Sequence, residues 1–562
     1  LICSTNKGMS VYLNFSVLAK RTFFNALTIT LCFIITGCSG ASSAIKSQRP
    51  FIPNQIQSLA NAQVIATFPE PNPSSREYVN NRGTFKAYKG RGQLLLQNES
   101  ALSADIYINN KKLALDTLQK NTEYAFNLGQ YTHNGVNTFK VDNIQPANGS
   151  LTLRFAFASL NSSAAKTIDF SAVDKLIEKD VSAGFPGAVL AIIKAGKILK
   201  LTAYGDAKQY QQNDLMLLRP EPMQTNTLFD LASNTKIFAT NFALMKLVSE
   251  GQLNINNRVS DYLTEYQGDG RELRQVKDLL THKAGYPPVF DFHRKDTRYG
   301  EAFFSQASDT TKQLLLTSVP LASEPSAQHV YSDIDYMILG VLIERISGQP
   351  LDEYLEQHIY APLKLNNTLF NPLKKGFNRQ QFAATELSGN TRDGRIHFDN
   401  IRTNVLQGQV HDERAFYSLD GVAGHAGLFS NAPDLAVLCQ VLLNKGGYGD
   451  KQIFNASSLA QFLTPQSTDE TYGLGFRLAG NNQARRWHFG PYASPQAYGH
   501  TGWTGTVTVI DPAYDLAIIL LTNARHSPIK GSEKRYQFVG KNYETAQYGS
   551  IVSLIYEALL NQ

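Results

Sequence analysis

Cysteine is scarce in this chain. It has four in 562 residues, and Cys3, Cys32 and Cys38 all fall at the very start, which leaves Cys439 alone in the body. One remaining thiol makes a structural disulfide a poor expectation. A surplus of one charge is missing too. The 53 Lys and Arg against 47 Asp and Glu leave a formal charge of only +6. The basic residues are scattered and do not form a stripe alternating with aromatics, so nucleic acid is not an expected partner. The leading apolar stretch, Phe23 to Ile35, is shorter than the roughly 18–20 residues of a membrane span. What is present is a well-supplied core: 43% hydrophobic against 18% charged residues describes neither a disordered chain nor a fibre. The length exceeds what one core of roughly 250–300 residues accommodates, which predicts a leader followed by two folded parts.

The leader, residues 1–38, starts at Met9, carries Lys20 and Arg21 before the apolar stretch, and ends in Ile35-Thr36-Gly37-Cys38 before Ser39. This is the form of a bacterial lipoprotein signal, with Cys38 as the lipidated residue. It predicts a bacterial cell-envelope protein, lipid-anchored to a membrane and facing the periplasm. An ordinary cleaved signal peptide with a chance cysteine is the alternative. Residues 39–82, rich in Ser, Ala, Pro, Asn and Gln without a period, read as a tether.

Over residues 83–165, short alternating runs separated by turn residues predict a small β-sandwich: Gln93 to Gln97, Asp105 to Ile108, Phe139 to Ile144 and Leu151 to Phe157. Its aromatics Phe85, Tyr88, Tyr107 and Tyr124 are expected in its core, with a sugar-binding face as the sharper alternative. In residues 166–562, a helix over Ser171 to Ser182 precedes a hairpin, Gly187 to Ile193 with Ile198 to Tyr204. A matching hairpin, Gly505 to Ile510 with Leu516 to Thr522, lies near the other end. Helical signals fill the interval: Ile237 to Glu250, Leu273 to Leu280, and Tyr336 to Ile346 closed by Gly348. The expected fold is α/β (α+β): an antiparallel sheet flanked by helices, with an inserted mostly helical region, preceded by a small all-β domain.

A serine hydroxyl needs a base within reach and a polarised oxyanion site to act as a nucleophile. Ser233-Asn234-Thr235-Lys236 supplies the spacing, because helix positions i and i+3 share a face. The pattern alone is weak: Ser4/Lys7, Ser43/Lys46, Ser163/Lys166 and Ser527/Lys530 match it as well. Only Ser233 precedes a sustained amphipathic helix, with Ile237, Phe238, Phe242, Met245 and Val248 expected to face inward. A lysine works as a base only if its pKa is lowered. Tyr331, in Tyr331-Ser332-Asp333, is the second candidate base, although such a tripeptide is often a helix cap. In the glycine-punctuated segment Tyr498 to Gly505, His500 and Thr501 are placed to bind a substrate carboxylate, and the glycines would let a ligand approach the backbone.

Ser-x-x-Lys, then a Tyr-x-Asn variant about a hundred residues on, then Lys/His-Thr-Gly near the end, resembles the penicillin-recognising serine enzymes. The runs Leu231 to Leu247, Leu279 to Gly285, Val410 to Ser430 and Gly499 to Pro512 are similar to the class C β-lactamase and D-alanyl-D-alanine carboxypeptidase branch of the serine β-lactamase and penicillin-binding protein superfamily. Among these the chain looks especially like the YfeW-type penicillin-binding proteins. The resemblance implies that Ser233 is acylated and that Lys236 and Tyr331 share the proton work. It further implies that Asp333 and His500-Thr501-Gly502 line the substrate, and that the backbone N–H groups of Ser233 and Trp503 hold the oxyanion.

Two departures stand out: Asp333 replaces an Asn, and His500 replaces the Lys of many β-lactamases, so that a fixed charge becomes one titrating near neutrality. Both move the reading away from efficient lactam turnover. The implied activity is a serine-type D-alanyl-D-alanine carboxypeptidase or related peptidoglycan peptidase, with stem peptides or β-lactams as ligands. A β-lactamase or esterase on the same scaffold, and a non-catalytic cell-wall binding protein, are the alternatives. His282, His411 and His425 with Asp412 and Glu413 fit no common zinc spacing and are expected in turns or core, so neither a metal nor another cofactor is expected.

Overall fold

The computed structural model describes residues 64–68 and 81–561, apart from 116, 162–167, 213–214, 326–327, 467–468 and 533–534. The leader with Met9 and Cys38, most of the tether, and the pairs Ser4/Lys7, Ser43/Lys46 and Ser163/Lys166 lie outside the described residues.

Eight strands make the N-terminal sandwich: β1 (Val64–Phe68), β2 (Arg82–Ala87), β3 (Gln93–Asn98), β4 (Ser103–Ile108), β5 (Lys111–Lys112), β6 (Thr122–Asn127), β7 (Gly135–Gln145) and β8 (Leu151–Phe155). They form two four-stranded antiparallel sheets, ordered β1-β8-β3-β6 and β2-β7-β4-β5. Period-two burial of Leu94 and Leu96 on β3, and of Ile106 and Ile108 on β4, directs one face of each sheet into a shared core. The stretch read as a tether thus contributes a strand, β1, whose backbone pairs with β8 from Val64↔Phe155 to Phe68↔Leu151. Of the four aromatics, Phe85 stacks on Phe155 in the core with centroids 4.1 Å apart, and Tyr88 is buried. The four therefore offer no common exposed face for a sugar.

The larger region starts with α1 (Ser171–Ser182) and builds a seven-stranded sheet from both ends of its sequence: β9 (Gly187–Lys194), β10 (Lys197–Tyr210), β11 (Met216–Pro222), β12 (Arg477–Leu478), β13 (Tyr498–Thr501), β14 (Thr506–Asp511) and β15 (Leu516–Thr522). The order is β11-β10-β9-β15-β14-β13-β12, antiparallel throughout. The near-continuous apolar run of β9 is explained by cover on both sides. Val189, Ala191 and Ile193 enter one core, and Ala188, Leu190 and Ile192 the other. The second core is closed by α1 and the C-terminal helix Gly549–Leu560, the first by the helical region inserted between β11 and β12.

Two local expectations change. The segment after Ser233 is amphipathic only in its last turn: a π-helical stretch, Lys236–Asn241, leads into α2 (Phe242–Ser249), every residue from Asn234 to Met245 is buried, and Lys246, Val248 and Ser249 are partly exposed. Up to that turn the helix runs through the middle of the first core, so no face of it needs to be polar there. The element expected over Leu273 to Leu280 is divided into a 3₁₀ turn, Arg271–Leu273, and a short helix, Val276–Leu280. It breaks where the buried Arg274 guanidinium donates to the Ala284 carbonyl at 3.0 Å and the Ser323 carbonyl at 2.9 Å. β13 is an internal strand of the sheet, with β12 paired along it. The helix read at Tyr336 to Ile346 is present as α3 (Asp333–Ser347), with Gly348 left-handed at its end.

The sandwich docks on the turns at one end of the large sheet. Lys86 pairs with Asp515 at 2.7 Å, Tyr88 accepts from Gln440 at 3.2 Å, and Arg91 donates to the Gly196 carbonyl at 3.1 Å. Strand pairing puts Lys194 and Asp515 at that end and Thr501, Gly505 and Thr522 at the other.

Candidate active site

At the far end of the sheet, Ser233 sits in a tight 3₁₀ turn, Ala232–Asn234. Ala232 is held at φ +45, a conformation disfavoured for any residue with a Cβ. Buried Asp230 braces it, accepting from the Ala232 N–H at 2.8 Å and from the His411 N–H at 2.6 Å. The first turn thus presents Ser233 next to Lys236, one turn along. A π-helical segment, uncommon and often found at functional sites, begins at that lysine.

Lys236 is fully buried and its ammonium is coordinated three ways: to Ser233 Oγ at 3.2 Å, Asp333 Oδ1 at 2.9 Å and the His425 carbonyl at 3.1 Å. Three acceptors match the three N–H groups of a protonated lysine. Burial alone would pull its pKa down, but the facing Asp333 carboxylate and Tyr331 outweigh burial and hold it above the ordinary lysine value. For Asp333, burial pushes up and the Lys236 charge pulls down, and the carboxyl ends below its ordinary range. The resting pair is therefore ionised. The lowered lysine pKa that a basic role requires is absent in this state, and Asp333, in place of an amide, is the cause.

Tyr331, Ser332 and Asp333 turn out to be a helix cap and part of the site at once. Ser332 caps α3, accepting from the Ile334 N–H at 3.2 Å and donating to the Pro287 carbonyl at 2.6 Å. This cap fixes the residues on both sides of it. The Tyr331 ring centroid lies 5.0 Å from Lys236 Nζ and 4.5 Å from the His282 ring. His282 is buried against Asp335, with Nδ1 3.1 Å from the carboxyl. Burial, then the Lys236 charge, holds this imidazole well below its ordinary pKa, so a neutral ring backs Tyr331.

His500 is buried on β13, its Nδ1 2.8 Å from the Thr501 carbonyl, so that nitrogen carries the proton. Burial first, and then the charges of Arg477 and Lys236, drive its pKa well below the ordinary histidine value. This overturns the expectation that His500 titrates near neutrality: it is neutral there. The cation beside Thr501 is Arg477, on the neighbouring strand β12, whose Nη1 donates to Thr501 Oγ1 at 2.7 Å. Packing within the protein also requires two of the glycines. A Cβ at Gly502 would collide with the Leu231 carbonyl and Thr506 Oγ1, and one at Gly499 with the Thr508 carbonyl. They bring protein atoms close, and Gly502 is what lets the strand end pack against the turn of Ser233. Just beyond, Trp503 is 46% exposed.

The histidines weighed as metal ligands do not gather. His282 pairs with Asp335, His411 with Glu386 at 2.5 Å, and His425 with Asp412 at 2.9 Å. Asp333, Asp412 and His425 do bring one ligand atom each within 4.8 Å of one another. Cations already neutralise that cluster: Lys236 on Asp333, and Arg414 on Asp412 at 3.3 Å. Burial would raise Asp412, yet His425 and Arg414 hold it well below the usual carboxylate range. The remaining match to the serine-lysine pattern, Ser527 with Lys530, is no site. Ser527 is buried, donating to the Ala524 carbonyl at 2.9 Å and accepting from the Gly540 N–H at 2.9 Å.

Sequence reasoning missed Arg477 and the bracing role of Asp230, and saw Asp412 only as a possible ligand. For Arg477 the available signal was Gly473-Leu474-Gly475-Phe476-Arg477, glycine-punctuated like the His500 segment. Gly475 is at φ +77, where a Cβ would strike Tyr336.

Comparison with known proteins places this geometry. The family model described as Beta-lactamase matches residues 173–539. A Bacillus subtilis protein named N-acetylmuramyl-L-alanine amidase is 52% identical over 407 residues, 70% of this chain and 91% of its own. An Escherichia coli protein named provisionally as a D-alanyl-D-alanine carboxypeptidase is 48% identical over 394 residues, 69% of this chain and 90% of its own. Among solved structures, a variant of simvastatin synthase from Aspergillus terreus shares the fold at 16% identity, with a TM-score of 0.51 over 71% of this chain and all of that one. With the family model spanning residues 173–539 and two relatives at about half identity, the chain belongs to the Beta-lactamase family, within the serine β-lactamase and penicillin-binding protein superfamily.

Proposed function

We propose that this chain is a serine hydrolase that cleaves an amide bond of a peptidoglycan stem peptide through an acyl-enzyme on Ser233. The observation that carries the reading is the coordination of Lys236, whose ammonium touches Ser233 Oγ and Asp333 together in a buried site. In this scheme Ser233 attacks the amide carbonyl, and the oxyanion rests on the backbone N–H groups of Ser233 and Trp503. A lysine already protonated cannot take the serine proton, so Tyr331 takes it. Tyr331 reacts in this step as the phenolate, which the adjacent Lys236 charge stabilises, and becomes a neutral phenol on taking the proton. Tyr331 then gives the proton to the departing amine, and water, deprotonated by the same group, releases the acyl chain.

The sequence led to the D-alanyl-D-alanine end as the bond, and the E. coli relative bears a name of that kind. The relative with the higher identity is named for the amide between N-acetylmuramic acid and L-alanine. That favours the muramyl–L-alanine bond as a second reading, and we rank it above the first. Both use the same chemistry on Ser233. Incubating the purified protein with muropeptides and weighing the products by mass spectrometry separates them. Free stem peptide marks the amidase, loss of one alanine marks the carboxypeptidase, and binding without any product would leave the cell-wall binding alternative. Rapid turnover of nitrocefin or simple esters, with muropeptides untouched, would favour the lactamase or esterase.

In either reading, Arg477 and Thr501 hold a carboxylate on the leaving side. Arg477→Ala is expected to raise KM about 10- to 100-fold for substrates whose leaving group carries a free carboxylate, the effect of losing one charge-assisted bond in a partly buried site. The same substrates with that carboxylate amidated should lose little. An equal loss on both would remove this role.

We further propose that the enzyme is held at the cell envelope by a lipid on Cys38, which the leader sequence supports. Radiolabelled palmitate should enter the wild-type protein in bacteria and not Cys38→Ser. Label retained in the variant would refute the anchor.

A further inference from the structure

Just past the short helix Val276–Leu280 the chain turns left-handed at His282, with φ +55. A helix end of this kind ordinarily carries glycine or asparagine there, because a Cβ is disfavoured. A buried histidine in that place, 1% exposed, calls for a reason. Its surroundings add to the cost. Among the described residues its Nε2 has no hydrogen-bond partner, and neither has Oδ1 of Asp335, the buried carboxyl that it faces. Native proteins seldom leave buried polar atoms in this state.

What the position provides is a clamp on Tyr331. The His282 carbonyl accepts from the Val330 N–H at 3.0 Å, and its Nδ1 accepts from the Ser332 N–H at 3.3 Å. These are the residues on either side of Tyr331. Between them, the Tyr331 ring rests 4.5 Å from the imidazole, centroid to centroid. In its left-handed conformation one residue thus reaches the segment with both its carbonyl and its ring.

The same contacts locate a proton. An Nδ1 that accepts from Ser332 carries no hydrogen of its own, yet it lies 3.1 Å from Asp335 Oδ2. Two acceptors at that distance need a hydrogen between them, so the carboxyl supplies it. Burial, and then the charges of Asp278 and Asp333, hold Asp335 well above the usual carboxylate range, in agreement. We infer that His282 is a positioning residue for Tyr331, and that a protonated Asp335 keeps its Nδ1 an acceptor, so that the clamp on the Ser332 N–H holds. This rests on the reading of Tyr331 as the base and deepens it: the group that moves the proton is aimed by a neutral pair, which adds no charge beside Lys236 and Asp333.

The test follows acylation of Ser233 by saturating benzylpenicillin through intact mass. His282→Phe keeps a ring but loses the acceptor, and should acylate about 10- to 100-fold more slowly, the size of loss that a misplaced reacting group causes. His282→Asn keeps an acceptor near the Nδ1 position and tolerates left-handed backbone, and should recover most of that loss. Asp335→Asn, whose amide still donates, should acylate severalfold faster than Asp335→Ala, which has no donor. In a Tyr331→Phe background, His282→Phe should cost little more, because the group it aims is already gone. Equal losses in both backgrounds would overturn the inference while leaving Tyr331 as the base. A Tyr331→Phe variant as fast as the wild type would remove the base and the inference together. The proton is read without turnover, by nitrogen NMR of protein carrying isotope-labelled histidine. The imidazole signals lost in His282→Phe should show Nδ1 unprotonated and Nε2 protonated, and a hydrogen on Nδ1 would overturn the role given to Asp335.

Discussion

Ser233→Ala is expected to abolish covalent labelling of the protein by a fluorescent penicillin, and to lower hydrolysis of its amide substrate by about 10³-fold or more, as removing the nucleophile of a cooperating group does. The fold itself should be unaffected, because Ser233 is only partly buried and the turn that presents it is braced by Asp230. No other described serine of the Ser-x-x-Lys pattern is available to substitute for it, since Ser527 is buried and committed to backbone bonds. Intact-mass measurement of the adduct gives the answer directly. A penicillin adduct of undiminished yield on the alanine variant would refute the assignment of the nucleophile, and with it the mechanism built on Lys236 and Tyr331.

The second large effect is expected from Asp333→Asn, which restores the amide more usual for the family. In the wild type the carboxylate lies 2.9 Å from a fully buried ammonium. Taking away its charge leaves Lys236 with burial as the dominant influence, so its pKa falls. The alkaline limb of the kcat/KM profile should move to lower pH, and kcat/KM at neutral pH should fall about 10²-fold, because the phenolate of Tyr331 loses part of its positive neighbour. Stability should fall as well, by about 3 kcal/mol, near the low end for breaking a buried pair because the Asn oxygen still accepts a bond.

The pH dependence of that stability loss has a definite sign. The folded Asp333 pKa lies below its unfolded value, so its contribution is present above about pH 4 and is lost as pH falls through the folded value. The folded Lys236 pKa lies above its unfolded value, so its contribution is present below about pH 10 and is lost as pH rises through the folded value. The difference between wild type and variant in urea unfolding should be greatest between these limits. A constant difference from pH 3 to pH 11 would mean that the pair is not ionised in the fold.

His500 shows why charge was the least readable property of this site. From the sequence, histidine in place of lysine implied a pH-sensitive strand. Whether an imidazole titrates depends on how much water reaches it and which charges face it. β12 supplies both answers, covering β13 and bringing Arg477 to Thr501 from 24 residues away in the chain. Lys236 is a parallel case. Its pKa is set by a carboxylate 97 positions along the sequence, and no local pattern contains that distance.

The sequence by itself determined the elements and the order of the motifs. The hairpins at the two ends, the helix from Ser171 to Ser182, the capped helix after Ser332 and the serine-lysine spacing are local matters of periodicity, turn chemistry and one helical turn, all written in neighbouring residues. The tertiary structure alone decided what those residues do. It buried every residue from Asn234 to Met245 behind Ser233, added β1 to the sandwich, and kept Lys236 charged by setting Asp333 against it. It also left His500 neutral and set a cation, Arg477, against Thr501. Desolvation and charge pairing depend on which distant segments the fold brings within a few ångströms, and that is a property of the packed chain rather than of any stretch of it.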